Sequence, residues 1–310
     1  MGKKVNCGVV GVGYLGAHHA RIYSEMENVN LVGIFDINES RAKEIADLYH
    51  CSVFSSPESL AEQCEALSVV TPTTSHAVTA IPLLKLGCHL LVEKPLCVTM
   101  NEAEQIIRTA EKHKCYLQVG HIENYNPVNS YLETHVQNPQ YITADRLAPF
   151  SPRGADVGVV LDLMIHDLGI ILQLVHSPIK KIEAIGVNVI SSTEDIANAR
   201  IYFENGCIAN FNTSRVSLKK ERNIRIFQPN KYLSMDFMDQ KGHLLFKKDK
   251  DILKEDIPLQ KEEPLRVELN SFVDCILQSH QPKVNGQIAC SALSVALEIT
   301  QIIQNNILKA

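Results

Sequence analysis

The chain has 310 residues, of which 45% are hydrophobic and 21% charged, and its net charge is −5. This length exceeds the usual size of one domain and predicts two. The net negative charge argues against a nucleic-acid-binding protein, and no apolar run reaches membrane-spanning length without a charge or a break. The nine cysteines lack the spacing of a zinc site or a disulfide framework, which predicts a cytoplasmic protein that holds no metal.

The first 120 residues alternate short apolar strands with amphipathic helices. Six strands are predicted, VNCGVVGV, NLVGIFD, CSVF, ALSVVTP, HLLVEKP and CYLQVGH. Helices are predicted between them, and Asn38 or Ser40 is the expected cap of the second. Such alternation is typical of a doubly wound parallel sheet with helices on both faces. We therefore expect an α/β domain over residues 1–120.

The pattern changes after residue 120. A helix near 126–137 and the strand YITADRLA come first, followed by an apolar helix near 159–175. Successive strands without intervening helices then predict a large, open, mostly antiparallel sheet, closed by two helices. Residues 121–310 should thus form a second α/β domain for substrate binding and oligomerisation. The charged stretch KKDKDILK is predicted as a solvated loop.

A glycine-rich turn follows the first strand and opens a helix. Gly11 permits the tight turn, Gly13 lets the backbone approach a pyrophosphate, and Gly16 allows helix and strand to pack closely. Tyr14 and Leu15 lie in the same turn. Asp36 ends the second strand at the distance from these glycines where a carboxylate binds the adenine ribose. The pattern predicts a Rossmann domain that prefers NAD to NADP. Arg41 is expected on the surface of the next helix; the alternative is that it turns inward and softens this preference.

The stretch DLMIHDLGI places three ionisable side chains in an apolar helix. Two hypotheses remain open at this point: a histidine and an aspartate that satisfy each other in a core, or a catalytic pair. Asp162 and His166 are four residues apart and therefore share a helix face. Asp167 points about 100° away from His166. We predict a structural role for Asp167, tying this helix to the nucleotide-binding domain.

Two further stretches, VVTPTTSH and LLVEKPL, each end a predicted parallel strand, where ligands of such sheets bind. Together with the glycine turn and the Asp-x-x-x-His spacing, they resemble the Gfo/Idh/MocA family of sugar and polyol oxidoreductases over nearly the whole chain. The resemblance implies that Lys94, Asp162 and His166 surround the reacting hydroxyl. It also implies cofactor contacts from four residues besides Lys94: Thr71, Pro72, His76 and Glu93. A solvent-exposed histidine is the alternative for His76.

The chemistry of alcohol oxidation agrees with these roles. The hydroxyl proton must be removed as hydride leaves for the nicotinamide, and the ordinary pKa of histidine makes His166 the better general base. Lys94 would hydrogen-bond the same oxygen and stabilise the developing alkoxide. Asp162 would orient the imidazole or the substrate. The cofactor is NAD, and no metal is required.

Within the family, GHIENYNPV and DRLAPFSPRGADVGVVLDLMIHD are similar to members that oxidise the 3-hydroxyl of UDP-N-acetylglucosamine. Asn124 departs from that pattern, which has arginine there. Arginines suit a pyrophosphate because they give paired, charge-assisted hydrogen bonds. Surface salt bridges to Asp145 or Asp156 are the alternative for them. The expected substrate contacts, in addition to Lys94, Asp162 and His166, are Tyr125, Asn126, Arg146 and Arg153. Packing and helix capping are the alternative for Tyr125 and Asn126.

Two other functions remain open: a dehydrogenase of the family that acts on inositol or a free sugar, and a non-catalytic NAD-binding regulatory protein. The intact Lys94, Asp162 and His166 argue against the regulatory protein. The second domain has few helices to cover both faces of its sheet, which predicts a homo-oligomer, either a tetramer or a dimer. A small-molecule substrate, most simply a UDP-sugar, is the expected partner.

Overall fold

The computed structural model describes residues 3–151 and 157–307. The chain folds into two compact units. The first comprises Met1–Ile122 together with Leu265–Cys290, and the second comprises Glu123–Pro264 together with Ser291–Ala310.

Residues 265–290 therefore lie with the first unit, although in sequence they stand between the two parts of the second. The sequence placed one boundary after residue 120 and gave the whole remainder to a substrate domain. That assignment of a role to each domain stays a prediction.

The first unit contains a six-stranded parallel sheet with the order β3-β2-β1-β4-β5-β6. Its strands are β1 (Val5–Val10), β2 (Val29–Phe35), β3 (Ser52–Val53), β4 (Ala66–Val69), β5 (His89–Glu93) and β6 (Leu117–Gly120). The helices between them are α1 (Tyr14–Glu25), α2 (Glu39–Tyr49), α3 (Pro57–Ala61), α4 (His76–Lys85) and α5 (Met100–Lys112). The strand order reverses between β1 and β4, which is where a crevice for a ligand opens at the carboxyl ends of the strands. The predicted doubly wound sheet is confirmed.

Local sequence explains where these helices begin. Asn38, one of the two predicted caps, accepts a hydrogen bond from the main-chain nitrogen of Arg41 at the start of α2. Thr99 and Glu102 form a reciprocal capping box at the start of α5. The helix α8 (Pro264–Gln278) adds Leu269 and Phe272 to the same hydrophobic core as β1 and α1.

The second unit contains an eight-stranded sheet with the order β14-β13-β12-β11-β7-β10-β9-β8. Its strands are β7 (Tyr141–Leu147), β8 (Ile179–Val187), β9 (Ile196–Phe203), β10 (Ile208–Ser214), β11 (Glu221–Gln228), β12 (Lys231–Asp236), β13 (Lys241–Lys248) and β14 (Asp251–Asp256). Only the β7–β10 pair is parallel among these described strands, so the sheet is mostly antiparallel, as predicted. Buried and more exposed residues alternate along its central strands, which leaves one face open.

The predicted loop at KKDKDILK is wrong, because this stretch contains the turn and edge strand of a hairpin. β13 and β14 pair antiparallel from His243 with Asp256 to Lys248 with Asp251. An edge strand has few packing partners, and charged side chains protect it from pairing with other chains. Its composition consequently resembles that of a loop.

Three more helices complete the description: α6 (Pro127–His135), α7 (Ile165–Val175) and α9 (Gly286–Ile307). The residues just before α7, Val160–Met164, form a π-helical turn. Among the described residues, one helical segment, Gly286–Asn306, is long and apolar enough to cross a bilayer by length and composition alone. Of its most apolar stretch, 44% is buried inside the protein.

Candidate cofactor and catalytic sites

The glycine turn between β1 and α1 forms a cradle at the strand ends of the first unit. Gly11 has φ +87°, and a Cβ there would lie 2.7 Å from the Val70 carbonyl oxygen. A Cβ on Gly16 would lie 1.8 Å from the Gly11 carbonyl oxygen, so α1 packs tightly on the turn. A Cβ on Gly13, in contrast, would meet nothing within 4 Å. The space beside Gly13 and the helix start at Tyr14 are therefore open to a pyrophosphate, which the free N–H groups of a helix start bind well.

Asp36 lies where the ribose of a dinucleotide is expected. Its carboxylate accepts hydrogen bonds from the main-chain nitrogens of Val12, at 2.7 Å, and Asn38, at 2.9 Å. These two bonds fix the carboxylate next to the glycine turn and leave lone pairs for ribose hydroxyls. Arg41 also points to this turn, because its Nε donates to the Val12 carbonyl oxygen at 3.0 Å. The prediction that Arg41 is only a surface residue is thus wrong.

The loop after β4 carries the next predicted cofactor residues. The hydroxyl oxygen of Thr71 is buried and has no hydrogen-bond partner among the described residues, which is the state expected of a group that meets a ligand. Pro72 is exposed. His76 is only 1% exposed, and its ring nitrogens lie 3.0 Å from the Pro95 carbonyl and 2.8 Å from the Thr71 carbonyl. Burial lowers the pKa of His76, and these carbonyls oppose that shift. The alternative of a solvent-exposed His76 is excluded.

Glu93 and Lys94 end the strand β5. Glu93 is buried and one carboxylate oxygen lies 3.2 Å from Nε2 of His19 on α1. Its other oxygen accepts from the main-chain nitrogen of Lys94 at 3.3 Å. Lys94 itself is half-buried and its peptide bond to Pro95 is cis. Glu93 thus contacts protein groups, whereas the lysine lies at the carboxyl edge of the sheet.

In the second unit, Asp162 and His166 stand at the junction of the π-helical turn and α7. Asp162 is half-buried, and its main-chain nitrogen donates to the Gly158 carbonyl oxygen at 3.0 Å. His166 is 8% exposed. π-helical turns are frequent at functional sites. The wider turn also means that the two side chains are not related by the ideal α-helical spacing assumed from the sequence.

Asp167 forms a buried ion pair within the second unit. Both of its oxygens accept from Arg146 on β7, with Nε at 2.9 Å and Nη2 at 2.8 Å. The remaining Nη1 of Arg146 donates to Glu123 at 3.0 Å, and Arg222 donates to the same oxygen of Glu123 at 3.0 Å. Burial opposes the charge of Arg146, but the two carboxylates outweigh it and raise its pKa.

Two expectations change as a result. The structural role of Asp167 is confirmed, but its partner is Arg146 in the same unit and not the nucleotide-binding domain. The alternative of a surface salt bridge for Arg146 is also wrong, because Arg146 is buried with Asp167 and Glu123, while Asp145 pairs with Arg225. Arg153 and Asp156 lie outside the described residues.

The other predicted substrate residues lie in the segment between β6 and α6. Tyr125 is 4% exposed and Asn126 is 2% exposed. Asn126 caps α6 by accepting from the Val128 nitrogen at 3.1 Å, and its amide donates to the Phe237 carbonyl at 2.9 Å. Asn124 is buried and accepts from Gln173 on α7 at 2.9 Å. Asn126 and Asn124 therefore bind neighbouring elements in this structure.

Sequence reasoning missed the roles of His19 and Glu123. Both are buried acid–base groups that bind residues far away in sequence: His19 meets Glu93, and Glu123 meets Arg146 and Arg222. His19 lies one turn after Gly16, and Glu123 lies inside the quoted GHIENYNPV stretch. No periodicity in one sequence reveals such partners, because they come from strands that become neighbours only in the fold.

Two family models match the chain. One, described as the oxidoreductase family with NAD-binding Rossmann fold, matches residues 5–121. The other, described as the GFO/IDH/MocA C-terminal domain, matches residues 131–230.

Among characterised relatives, the UDP-N-acetylglucosamine 3-dehydrogenase of Acidithiobacillus ferrooxidans is 34% identical over 94% of this chain and 95% of its own length. Its solved structure covers 97% of this chain and 98% of that chain, with a TM-score of 0.93. The NAD-dependent scyllo-inositol 2-dehydrogenase of Bacillus subtilis is 26% identical over 70% of this chain and 69% of its own.

The solved structure of levoglucosan dehydrogenase with NADH and levoglucosan shares the fold, with a TM-score of 0.88, 16% identity, and coverage of 98% of both chains.

Proposed function

The chain belongs to the GFO/IDH/MocA family of NAD-binding oxidoreductases, and we propose that it oxidises the 3-hydroxyl of UDP-N-acetylglucosamine, or a related UDP-amino sugar, to the 3-keto sugar nucleotide. One observation carries the proposal: the relative with this activity matches 94% of the chain at 34% identity. The fold alone would not support this choice of substrate, because proteins of one fold act on many different substrates.

The first unit is suited to holding NAD. The open space at Gly13, the anchored carboxylate of Asp36 and the buried hydroxyl of Thr71 match a pyrophosphate, a ribose and a further polar group of the cofactor. NAD, when bound, supplies the hydride acceptor. Tyr14, Leu15, Pro72 and His76 lie on the same two loops, and we propose that they line the cofactor.

The chain's own residues would move the proton. We propose that His166 takes the hydroxyl proton and that Lys94 stabilises the negative charge that develops on the oxygen. Asp162 would orient the imidazole or the sugar. Substitution of any one of these three residues should lower turnover while the cofactor still binds.

The buried carboxylates bear on the role of Arg146. Each of its three guanidinium nitrogens donates to Asp167 or Glu123, and the side chain is buried with these carboxylates, so Arg146 is poorly placed to bind a diphosphate. We propose that Arg146 acts through these partners and positions α7. Arg222, which is 38% exposed in its side chain and shares Glu123, is the better placed cation for a charged substrate.

The proposal is tested by mixing the protein with NAD and UDP-N-acetylglucosamine and following NADH absorbance, with mass spectrometry of the sugar nucleotide. We expect a product two hydrogens lighter than the substrate. Free N-acetylglucosamine and myo-inositol are the control substrates. Turnover of a free polyol without turnover of any UDP-sugar would reject the substrate and keep the reaction class.

One observation favours that second outcome. Asn124 replaces an arginine and binds Gln173, so a charge expected near a nucleotide sugar is missing. A dehydrogenase of inositol or a free sugar is therefore the second candidate. A regulatory, non-catalytic protein is disfavoured because Lys94, Asp162 and His166 are all present.

We further propose that the protein is a cytoplasmic homo-oligomer. All nine cysteines are free, as expected in a reducing compartment. The open face of the large sheet carries a row of aromatic rings, in which Phe227 stacks on Tyr232 at 4.6 Å and meets Tyr141 at 5.6 Å. Exposed apolar side chains also occur on its edge strand β8, at Ile185 and Val187. A second copy of the chain would cover this face.

A further inference from the structure

A series of buried polar groups runs from α1 to β5 in the first unit. The Tyr23 hydroxyl lies 2.8 Å from the Ser68 hydroxyl, which lies 3.0 Å from Nδ1 of His19. Nε2 of His19 lies 3.2 Å from Glu93. Glu93 is held firmly, because a Cβ on Gly120 would lie 2.7 Å from its carboxyl group. This series of polar groups thus connects α1, β4 and β5, and it ends at Glu93, the residue that precedes Lys94.

Glu268 on α8 belongs to the same buried region but differs from its neighbours. Its side chain is 0% exposed, and neither carboxyl oxygen has a hydrogen-bond partner among residues 3–151 and 157–307. Gln118 on β6 donates its amide to the Glu268 main-chain carbonyl at 3.0 Å, while the Gln118 side-chain oxygen also has no partner in that part of the chain. An ionised carboxylate needs donors, and the described surroundings offer it none.

The titratable groups around Glu268 do not favour its ionisation either. Burial raises the pKa of Glu268 well above its usual range, and the negative charge of Glu93 raises it further. Tyr23 is neutral, since burial raises its pKa. His121 after β6 is neutral as well, because burial lowers its pKa to about 4, helped by the charge of Lys94. His19 faces Glu93 and is bound to it.

We propose that Glu268 is a neutral, protonated carboxylic acid in the folded enzyme, and that it is a positioning residue that keeps a second negative charge away from Glu93, the residue next to Lys94. A neutral acid has one O–H donor, which a buried water can pass on to the unpartnered oxygen of Gln118. A second negative charge near Glu93 would repel its carboxylate, which fills the space over Gly120. The functional part of the inference rests on the proposed role of Lys94.

The first experiment needs no activity. Infrared spectra of the whole protein at neutral pH should contain the carbonyl stretch of a protonated carboxylic acid, and Glu268→Gln should remove it. The matched control is Asp274→Asn on the same helix, at a less buried position. A band that Glu268→Gln leaves unchanged would overturn the proposal.

Thermal unfolding against pH gives a second, independent measurement. The unfolded chain loses the Glu268 proton above about pH 4.3, while the folded protein keeps it until the raised pKa is passed. The wild type should therefore lose Tm relative to Glu268→Gln as pH rises above that value, by roughly 2 °C per pH unit. If the Tm difference between the wild type and Glu268→Gln stayed constant from about pH 5 to about pH 8, it would contradict a protonated Glu268.

Turnover then tests positioning. Glu268→Gln keeps the shape and neutrality of the acid, so kcat and its pH profile should stay within about twofold of the wild type. Glu268→Ala should lower kcat about tenfold or more at unchanged KM for NAD, because it leaves a cavity in the buried region whose charge Glu93 senses. Equal losses in both variants would overturn the positioning role. If Lys94→Ala leaves turnover intact, the proposed function of Lys94 fails, while the infrared and thermal results on Glu268 still stand.

Discussion

At the scale of single residues, burial and partners decide what a predicted side chain can do. Lys94 and Asp162 are half-buried at the ends of their elements. Arg146, which the sequence also predicted as a substrate contact, is buried, and all three of its guanidinium nitrogens donate to carboxylates. A residue type therefore predicts a capacity, and its surroundings determine whether that capacity is used within the protein.

The histidine on α7 gives the most direct test at this scale. His166→Asn should lower kcat by roughly 10²–10⁴, the usual contribution of a positioned acid–base group. NAD binding, followed by fluorescence titration, should not change, because the glycine turn lies in the other unit. His176→Asn is the control: this exposed histidine ends the same helix with φ 48°, a conformation that asparagine adopts well. Lower stability with unchanged activity per folded molecule would restore the alternative of a core histidine.

The glycine turn permits a second test. Gly13→Ala adds a methyl group where the protein leaves open space, so the apo protein should keep its Tm. NAD should bind at least about tenfold more weakly, which corresponds to about 1.4 kcal/mol, because the methyl group occupies the pyrophosphate space. Gly16→Ala is the contrasting variant and should impair folding, since its Cβ would lie 1.8 Å from a carbonyl oxygen. Unchanged NAD affinity in Gly13→Ala would place the pyrophosphate elsewhere.

At the scale of elements, paired side chains hold helices on strands. The pair of Asp167 and Arg146 joins α7 to β7 with two hydrogen bonds in a buried environment. The helix that carries His166 is thereby fixed next to the sheet on its first turn. A buried pair of this kind fixes geometry more reliably than it adds stability.

Removal of one partner should reveal this arrangement. Arg146→Met leaves two buried carboxylates, Asp167 and Glu123, without their main donor and should cost about 3–5 kcal/mol of unfolding free energy in urea titrations. The double variant Arg146→Met with Asp167→Leu should recover part of that loss. The control is Arg225→Ala, which breaks a partly exposed pair with Asp145 and should cost about 0–1 kcal/mol. A similar small effect of Arg146→Met would mean that water reaches the pair.

At the scale of the whole molecule, the open face of the large sheet is the feature that remains unexplained in one chain. Monomeric proteins rarely expose a broad aromatic and apolar face. A sheet covered on one side by helices and open on the other is the shape expected of a subunit.

Light scattering should therefore return a multiple of the 34.5 kDa chain mass, corresponding to a dimer or tetramer. Phe227→Glu should shift the mass towards one chain, because it places a charge in the aromatic row. Leu218→Glu, in the exposed loop between β10 and β11, is the control and should leave the mass unchanged. A wild-type mass of one chain would refute the oligomer.

The sequence by itself determined features that depend on neighbours along the chain. The six parallel strands, the glycine turn, the cap at Asn38 and the helix carrying His166 all follow from local periodicity or from turn chemistry, which act over a few residues. The edge strand β14 escaped prediction because a charged edge strand and a loop have similar compositions.

Only the tertiary structure decided the partners of buried charges. Glu123 and Arg222 are 99 residues apart in sequence, and Gln118 and Glu268 are 150 apart. Such pairs form because strands and helices from distant segments pack side by side and exclude water, so that each polar group must find a partner or lose its charge. A motif specifies which side chains are available, whereas packing determines which of them meet a neighbour and which remain for a ligand.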